Sequence, residues 1–505
     1  MANLLKSEKI NNTVNFLKCI YLCIFTIYLV VREVYALIYF IDSFFVTGFF
    51  MAVALLFIGY DVLTNRFCFK TRYFTNLALF VIIALISCVL NLKYGMFSNL
   101  KAIAIFVIYA LLIYPESFKD NNNRTLSACL HTGFFAMTFF SFASLIMYIF
   151  SIDYVCDNAT KLKQQGFIAS LGRLWGVFHD PNYLALFSLI AICTSVFIFV
   201  KSKSIFKKII LVLLDLIHIS VLSLTGSKMG YVITVLAIFW LSIIFIFKKL
   251  SIKVIYRILA TALAVIISVA APVLVSNAVN SLMPALKNTV ITVGGTEIFM
   301  NIHLLYDKIY TSGNLELVKG SADEIDINNI IYNNDNSPID RLDDPAEISN
   351  GRFALWKDGL KLLAQRPLFG VSPRNITSFA VENNTDTLMN TTNSSIHNTY
   401  LEVLTGTGII GGAIILLFLI LAAIFVIKIA LQFTPSIDIA ISTTLVMIVA
   451  ISAIFLPDIF FFQLNFAGLI FWLCLGYCLN SDKEAYKNSL AYKLLTKYFK
   501  RKSKS

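Results

Sequence analysis

The sequence predicts an all-α polytopic membrane protein, and three observations carry that prediction. Hydrophobic residues make up 58% of the 505 residues and charged residues only 14%, well below the roughly one quarter usual for a soluble domain. Apolar runs long enough to cross ~30 Å of hydrocarbon recur along the chain. Lysines and arginines gather in the short connections between those runs and in the C-terminal tail, the distribution expected of cytoplasmic segments. A β-barrel would instead show short segments of alternating polarity, and none are seen.

The first apolar run covers residues 14–31 behind Lys6 and Lys9. It has no small-residue cleavage site and reads as a span, not as a removed signal peptide. The second covers residues 44–62, and Arg66, Lys70 and Arg72 put the connection after it on the cytoplasmic side. Spans three and four cover residues 73–90 and 101–114; S-F-K-D-N-N-N-R returns to the cytoplasm; span five covers residues 126–150. Residues 151–181 form the first sizeable outer segment, ending in L-G-R-L-W-G-V-F-H-D-P-N. Span six follows, then basic K-S-K-S-I-F-K-K on the inside. Span seven ends in S-L-T-G-S-K-M-G, a tight outer turn, and span eight ends at Lys248 and Lys249. Span nine covers residues 259–275, closing a transmembrane part of residues 1–275.

Residues 276–396 are the longest polar region and read as a large extracytoplasmic loop, a length usually functional or disordered. Within it, residues 323–344 are acidic and rich in Asn. Asn375–Thr377 and Asn390–Thr392 match a glycosylation acceptor pattern, which an Asn-rich loop also produces by chance. Span ten covers residues 399–427, and spans eleven and twelve fill residues 439–479 within a second transmembrane part, residues 397–480. Residues 481–505 are a cytoplasmic tail with eight Lys or Arg. About twelve spans put both termini inside, and the basic connections give that orientation counted from either end. The net charge of +12 therefore reports topology, and nucleic acid is not expected as a partner. Of nine cysteines only Cys156 falls in an outer segment, and no CxxC pair or Cys/His spacing suggests a disulfide framework or a metal.

The chemistry-bearing residues cluster in residues 349–412. Phe353, Trp356, Leu360 and Leu363 recur at helical spacing and predict a membrane-surface helix over residues 351–365, with Asn350 as cap and Pro367 and Gly370 as stop. Arg352 in its first turn suits an anion, since the guanidinium adds to the free N–H groups there. It equally suits an arginine snorkelling to lipid headgroups. Arg173, before Trp175 and H-D-P-N, either contacts an anion or pairs with Asp180. Asn182 stands near the cap of span six. Of five histidines, His131 and His218 fall inside spans, where a satisfied buried role is expected, and His303 has no informative neighbours. His179 adjoins the Arg173 segment. His397 stands at the mouth of span ten beside Asn398, where an imidazole can take up a proton near neutral pH.

These residues carry a resemblance. G-R-x-x-x-W-x-x-x-L, R-P-L-F-G and H-N-x-Y-L-E-x-L-x-x-x-G-I-I-G resemble the signature of the O-antigen ligase and polysaccharide polymerase family. R-L-W-G-V-F-H-D-P-N-Y-L-A-L is similar to that family's R-x-x-G-x-F-x-x-P-N-x-x-A element. S-L-T-G-S-K is similar to its T-x-S-R turn, with Lys228 where Arg is usual. The ordered motifs span roughly residues 173–412. The resemblance implies a GT-C-like fold and a glycosyltransferase in the bacterial cytoplasmic membrane, working at its outer face without cofactor or metal. The implied donor is a glycan on undecaprenyl diphosphate. The implied partners are lipid-linked donor and acceptor, membrane lipids and other polysaccharide assembly proteins. By motif, Arg173 and Arg352 hold the diphosphate and His397 activates the acceptor hydroxyl, with Lys228, Asn182, Asn398 and Trp356 as possible supports. Lys228 is either a point charge on phosphate or part of the turn.

The expected reaction is polymerisation of lipid-linked repeat units for capsule, exopolysaccharide or O-antigen. Transfer of a finished glycan to lipid A core, protein or cell wall is the alternative within the enzyme class. A flippase for the same lipid-linked units is the rival class. It should carry charged or broken-helix sites near the bilayer midplane, whereas these candidates gather at the outer boundary. No paired carboxylates of glycosidase spacing, P-loop or dinucleotide motif are found.

Overall fold

The computed structural model describes residues 8–64, 71–119, 123–150, 152–157, 162–168, 173–247, 254–287, 290–293, 296–299, 351–392, 394–431 and 436–480. The acidic stretch 323–344, His303, Cys68, Asn350 and the basic tail lie outside the described residues. The rest is almost entirely helical: α1 Glu8–Arg32, α2 Tyr35–Ile41, α3 Phe44–Leu63, α4 Phe74–Leu90 and α5 Met96–Ile108, which continues through a π-turn into α6 Tyr114–Lys119. Then come α7 Arg124–Ile149, α8 Pro181–Lys201, α9 Ile205–Leu224, α10 Lys228–Ser242 and α11 Val254–Lys287. Three short helices follow, α12 Arg352–Gln365, α13 Ile376–Glu382 and α14 Leu388–Thr392. Finally come α15 Thr399–Ala430, α16 Ile437–Ser452 and α17 Phe466–Asn480.

Each apolar segment read from the sequence falls on a helix, except that residues 453–465, inside the run read as spans eleven and twelve, are irregular. By length and composition, seven helices among the described residues are apolar enough to cross a membrane, and four shorter apolar helices accompany them. The protein is an all-α polytopic membrane protein. Local chemistry sets the helix starts. Ser43, Ser204, Ser227 and Ser436 cap α3, α9, α10 and α16 through their hydroxyls. Asp180 caps α8 with Pro181 at its first position, where the missing N–H is no loss.

The bundle is built around α17, where every residue but Tyr477 is buried. Trp472 at its middle stacks on Phe418 of α15 at 5.8 Å and donates from its indole nitrogen to the Phe460 carbonyl at 2.6 Å. Outward, Phe16, Phe44, Leu56, Phe97 and Phe139 are exposed, the apolar belt that lipid covers. Between α1 and α3, Lys18 and Asp61 form a fully buried ion pair at 2.5 Å, so neither charge meets hydrocarbon alone.

Two features depart from the sequence reading. The segment after α7 holds a three-stranded antiparallel sheet, β1 Asp153–Asp157, β2 Leu162–Ile168 and β3 Arg173–Gly176. A hairpin, β4 Val290–Val293 with β5 Thr296–Phe299, follows α11. Both alternate too briefly to stand out beside long apolar runs. Helix α11 also runs past residue 275 to Lys287. Its 34 residues reach about 50 Å at 1.5 Å per residue, longer than a bilayer core needs.

The P-L-F-G and G-T-G-I-I-G motifs interlock. Helix α15 breaks at Gly408 (φ 73°, ψ −176°), and the turn of residues 367–371 crosses the break. Val371 N–H donates to the Thr405 carbonyl at 3.0 Å, Ile409 N–H to Pro367 at 2.8 Å and Ile410 N–H to Leu368 at 3.3 Å. The crossing chain thus supplies the partners that the broken helix loses. Ser87 and Asn91 at the end of α4 clamp it, donating to the Gly406 and Gly370 carbonyls at 2.8 and 3.2 Å. A Cβ on Gly370 would stand 2.5 Å from Gly406 backbone, and one on Gly408 would overlap Leu368 backbone. Both glycines sit at positive φ, so Gly408→Ala combines backbone strain with a clash that no side chain can relieve. We expect it to destabilise the fold by about 3 kcal/mol or more. Thermal unfolding in detergent would check this, and a wild-type melting temperature would contradict it.

Candidate functional site

One end of the bundle gathers the sequence-singled residues around an irregular segment, residues 453–465, between α16 and α17. The Leu456 carbonyl accepts from Thr399 N and Oγ1 at 3.0 and 2.8 Å, and the Ala453 carbonyl from Thr399 N at 2.9 Å. The Pro457 carbonyl accepts from the Tyr183 hydroxyl at 3.3 Å. Asp458, at φ 30°, closes the segment by accepting from Phe461 and Phe462 N–H at 3.3 and 2.9 Å. Its other oxygen stands 3.7 Å from Arg374 Nη1. Burial raises the Asp458 carboxyl above its ordinary range, against the pull of Arg374 and those two N–H groups.

Arg173 opens β3 and reaches the turn between α9 and α10. Its Nε donates to the Thr225 carbonyl at 2.8 Å, and its stem lies over Gly226, 3.6 Å from where a Cβ would stand. Asn182 ties that turn to α8: its N–H donates to Asp180 Oδ1 at 2.6 Å, and its Oδ1 accepts from Ser227 Oγ at 2.7 Å. The two motifs around Arg173 and Thr225 are therefore one unit. Ser227 and Asn182 close the turn, while Lys228 is the exposed first residue of α10. The cap of α8 is Asp180, two residues before Asn182, which stands close to it.

Arg352 is the first residue of α12. Gly351 precedes it as the cap at φ 74° without a side-chain hydrogen bond; Asn350, the expected cap, lies outside the described residues. Leu355, Gly359 and Leu362 form the buried face of α12, which packs on α15. The predicted apolar stripe is the other face: Phe353 and Leu360 are 60% and 50% exposed. Trp356 stacks edge-on with Phe353 at 5.3 Å and packs on a second small core with Tyr94, Phe379 and Ile396. The guanidinium of Arg352 lies 6.0 Å from the Phe455 ring centroid.

The two arginines interact. Burial depresses the pKa of both, and Asp180 opposes that in each; at Arg352, repulsion from Arg173 depresses it further. Among the described residues neither guanidinium forms an ion pair. Two half-buried cations sharing one distant carboxylate leave an excess of positive charge.

His397 holds a left-handed backbone at φ 53°, uncommon for a residue with a Cβ. Both neighbours pin it. Ile396 packs on Gly359 of α12, 2.9 Å from where a Cβ would stand, and Asn398 caps α15 by accepting from Tyr400 and Leu401 N–H at 3.0 and 3.1 Å. Thr399, two residues on, is bonded to residues 453 and 456, the segment that Arg352 also approaches. His218 is buried with Nε2 3.0 Å from the Thr138 hydroxyl but without a hydrogen bond at Nδ1 among the described residues, and His131 is half-buried with Nδ1 2.6 Å from the Ser127 carbonyl. The amides of Asn375 and Asn390 donate to Gly95 and Thr385 carbonyls at 2.8 and 3.0 Å, a structural use of both acceptor triplets. Among the described residues no group of three or more His, Cys, Asp or Glu could hold a metal ion.

Residues 213–416 match the model of a protein family described as O-antigen ligase. The match supports membership of the O-antigen ligase family. No curated protein matches the chain. The matched region, less than half of the chain, takes in the Thr225 turn, Lys228, Arg352, Trp356, His397 and Asn398. Arg173, Asn182 and Asp458 lie outside its limits and are joined to it through Thr225, Ser227 and Arg374. The family implies ligase- or polymerase-type glycan transfer with lipid-linked glycans as substrates. Arg374, Asp458 and Glu33 were missed in the sequence. The available signal was Asp458 itself, a charge inside the apolar run of residues 437–480.

Proposed function

We propose that this chain is a polysaccharide polymerase. It transfers a glycan from undecaprenyl diphosphate to the hydroxyl of a lipid-linked repeat unit at the outer face of the bacterial cytoplasmic membrane. The observation that carries this reading is that Arg173 and Arg352, from separate segments, are both half-buried within reach of the Asp180 charge, and that neither forms an ion pair among the described residues. A diphosphate supplies the missing anion. As the bond between the sugar's anomeric carbon and the diphosphate oxygen breaks, its electron pair stays on that oxygen. The two guanidiniums stabilise the growing charge there. The acceptor oxygen bonds to the anomeric carbon, and its proton passes to the His397 imidazole. The rigid backbone on both sides of His397 suits a group that must meet a hydroxyl in one orientation. The exposed Phe353 and Leu360 suit a helix resting on lipid, which brings Arg352 to headgroup level.

Chain length of the product tests the choice between polymerase and ligase. Purified protein given only lipid-linked repeat units is expected to build a ladder; transfer only when lipid A core, protein or wall acceptor is added would make it a ligase. Orientation has its own test. With residues 276–396 outside, Ser337→Cys should react with an impermeant thiol reagent in intact cells. Labelling only after lysis would invert the topology.

A further inference from the structure

His179 is not used by the chemistry above, yet it is held as closely as any residue at this end. The link between α1 and α2 runs antiparallel to the approach to α8: Tyr35 N–H donates to the Val177 carbonyl at 2.9 Å and His179 N–H to the Glu33 carbonyl at 3.2 Å. Val34 and Phe178 form a bridge between them. That zipper places His179 Nδ1 3.1 Å from Glu33 Oε2. The carboxylate is fixed in turn. Its Oε1 accepts from Asn465 Nδ2 at 2.9 Å, and Asn465 is oriented because its Oδ1 accepts from Ala467 N–H at 2.8 Å. Glu33 and Asn465 are buried, while the imidazole remains 27% exposed beside Tyr183, ring centroids 4.8 Å apart.

A buried carboxylate 3.1 Å from Nδ1 is an ion-pair partner for a protonated imidazole. The next residue is Asp180, the one carboxylate that both Arg173 and Arg352 sense. We propose that His179, charged and oriented by Glu33, is a third cationic donor to the diphosphate of the lipid-linked substrate. Its Nε2–H makes the contact, and Glu33 is a positioning residue. This rests on the function proposed above. Nothing in the ordered motifs marks the pair, since Glu33 lies more than a hundred residues before them.

The test uses the full chain in proteoliposomes with lipid-linked repeat units, and inorganic pyrophosphate as inhibitor. His179→Gln is expected to slow transfer by about 10- to 100-fold, the worth of one hydrogen bond to a charged group. It is also expected to raise the pyrophosphate concentration needed for half inhibition by a similar factor. His179→Lys restores a cation and should recover a large part of both; Glu33→Gln should fall between wild type and His179→Gln. Unchanged pyrophosphate inhibition in His179→Gln would overturn the proposal. So would His179→Lys no better than His179→Gln, because a proton acceptor or a structural residue is not rescued by lysine. Matched melting temperatures keep folding defects out of the comparison. A wild type that transfers no glycan from the lipid diphosphate would sink the parent reading instead, so the two failures are distinguishable.

Discussion

His397→Ala is expected to slow glycan transfer by about 10²–10⁴-fold, the usual contribution of a positioned base, while leaving the chain folded and inserted. The imidazole is half-buried, and the anchors on either side do not need it. Ile396 seats on α12 through its own side chain, and Asn398 caps α15 through its own amide. Alanine still meets the left-handed backbone at φ 53°, at a cost of about 1–2 kcal/mol. His397→Asn, a residue tolerant of that conformation, therefore serves as the control. Donor binding should survive in both, because the arginines carry the diphosphate. Binding of the lipid-linked donor measured beside turnover separates the two effects. Near-normal product from His397→Ala would remove the base from this position.

Arg173→Ala and Arg352→Ala are expected to lower transfer by about 10²–10³-fold each, as removal of one preorganised donor to a developing anion does elsewhere. The lysine variants should recover only part. A lysine keeps the charge but not the fork, and at position 173 it also loses the geometry that lets Nε hold the Thr225 carbonyl. The two positions should not behave independently. Each guanidinium raises the cost of charging the other, so the double alanine variant should lose less than the product of the single losses. Steady-state rates of the four variants give this directly. Wild-type product from both lysine variants would make these residues ordinary surface arginines.

The helical fold was legible because lipid imposes long apolar runs, and basic connections mark their ends. Segment 349–412 was legible for a similar reason: Arg352, the P-L-F-G break and His397–Asn398 interrupt apolar periodicity. What stayed hidden depends on contacts between distant residues. The apolar stripe of α12 was found, but not that Leu355, Gly359 and Leu362 form a second face buried on the protein. The glycines of R-P-L-F-G and G-T-G-I-I-G were both visible. That they are two halves of one backbone crossing shows only in the bonds from Val371, Ile409 and Ile410. Glu33 went unread in the sequence, because its meeting with His179 and Asn465 depends on packing across the whole bundle.

The most direct test of the assigned chemistry is a reconstituted transfer assay. Purified protein is mixed with excess lipid-diphosphate-linked repeat unit, and product length and released lipid diphosphate are followed by mass analysis. Wild type is expected to release one lipid diphosphate for each glycosidic bond formed, His397→Ala to bind donor and transfer about 10²–10⁴-fold more slowly, and Arg352→Ala to bind donor more weakly and transfer about 10²–10³-fold more slowly. Transfer by His397→Ala and Arg352→Ala at the wild-type rate, or no transfer from the lipid diphosphate by wild type, would contradict the assignment.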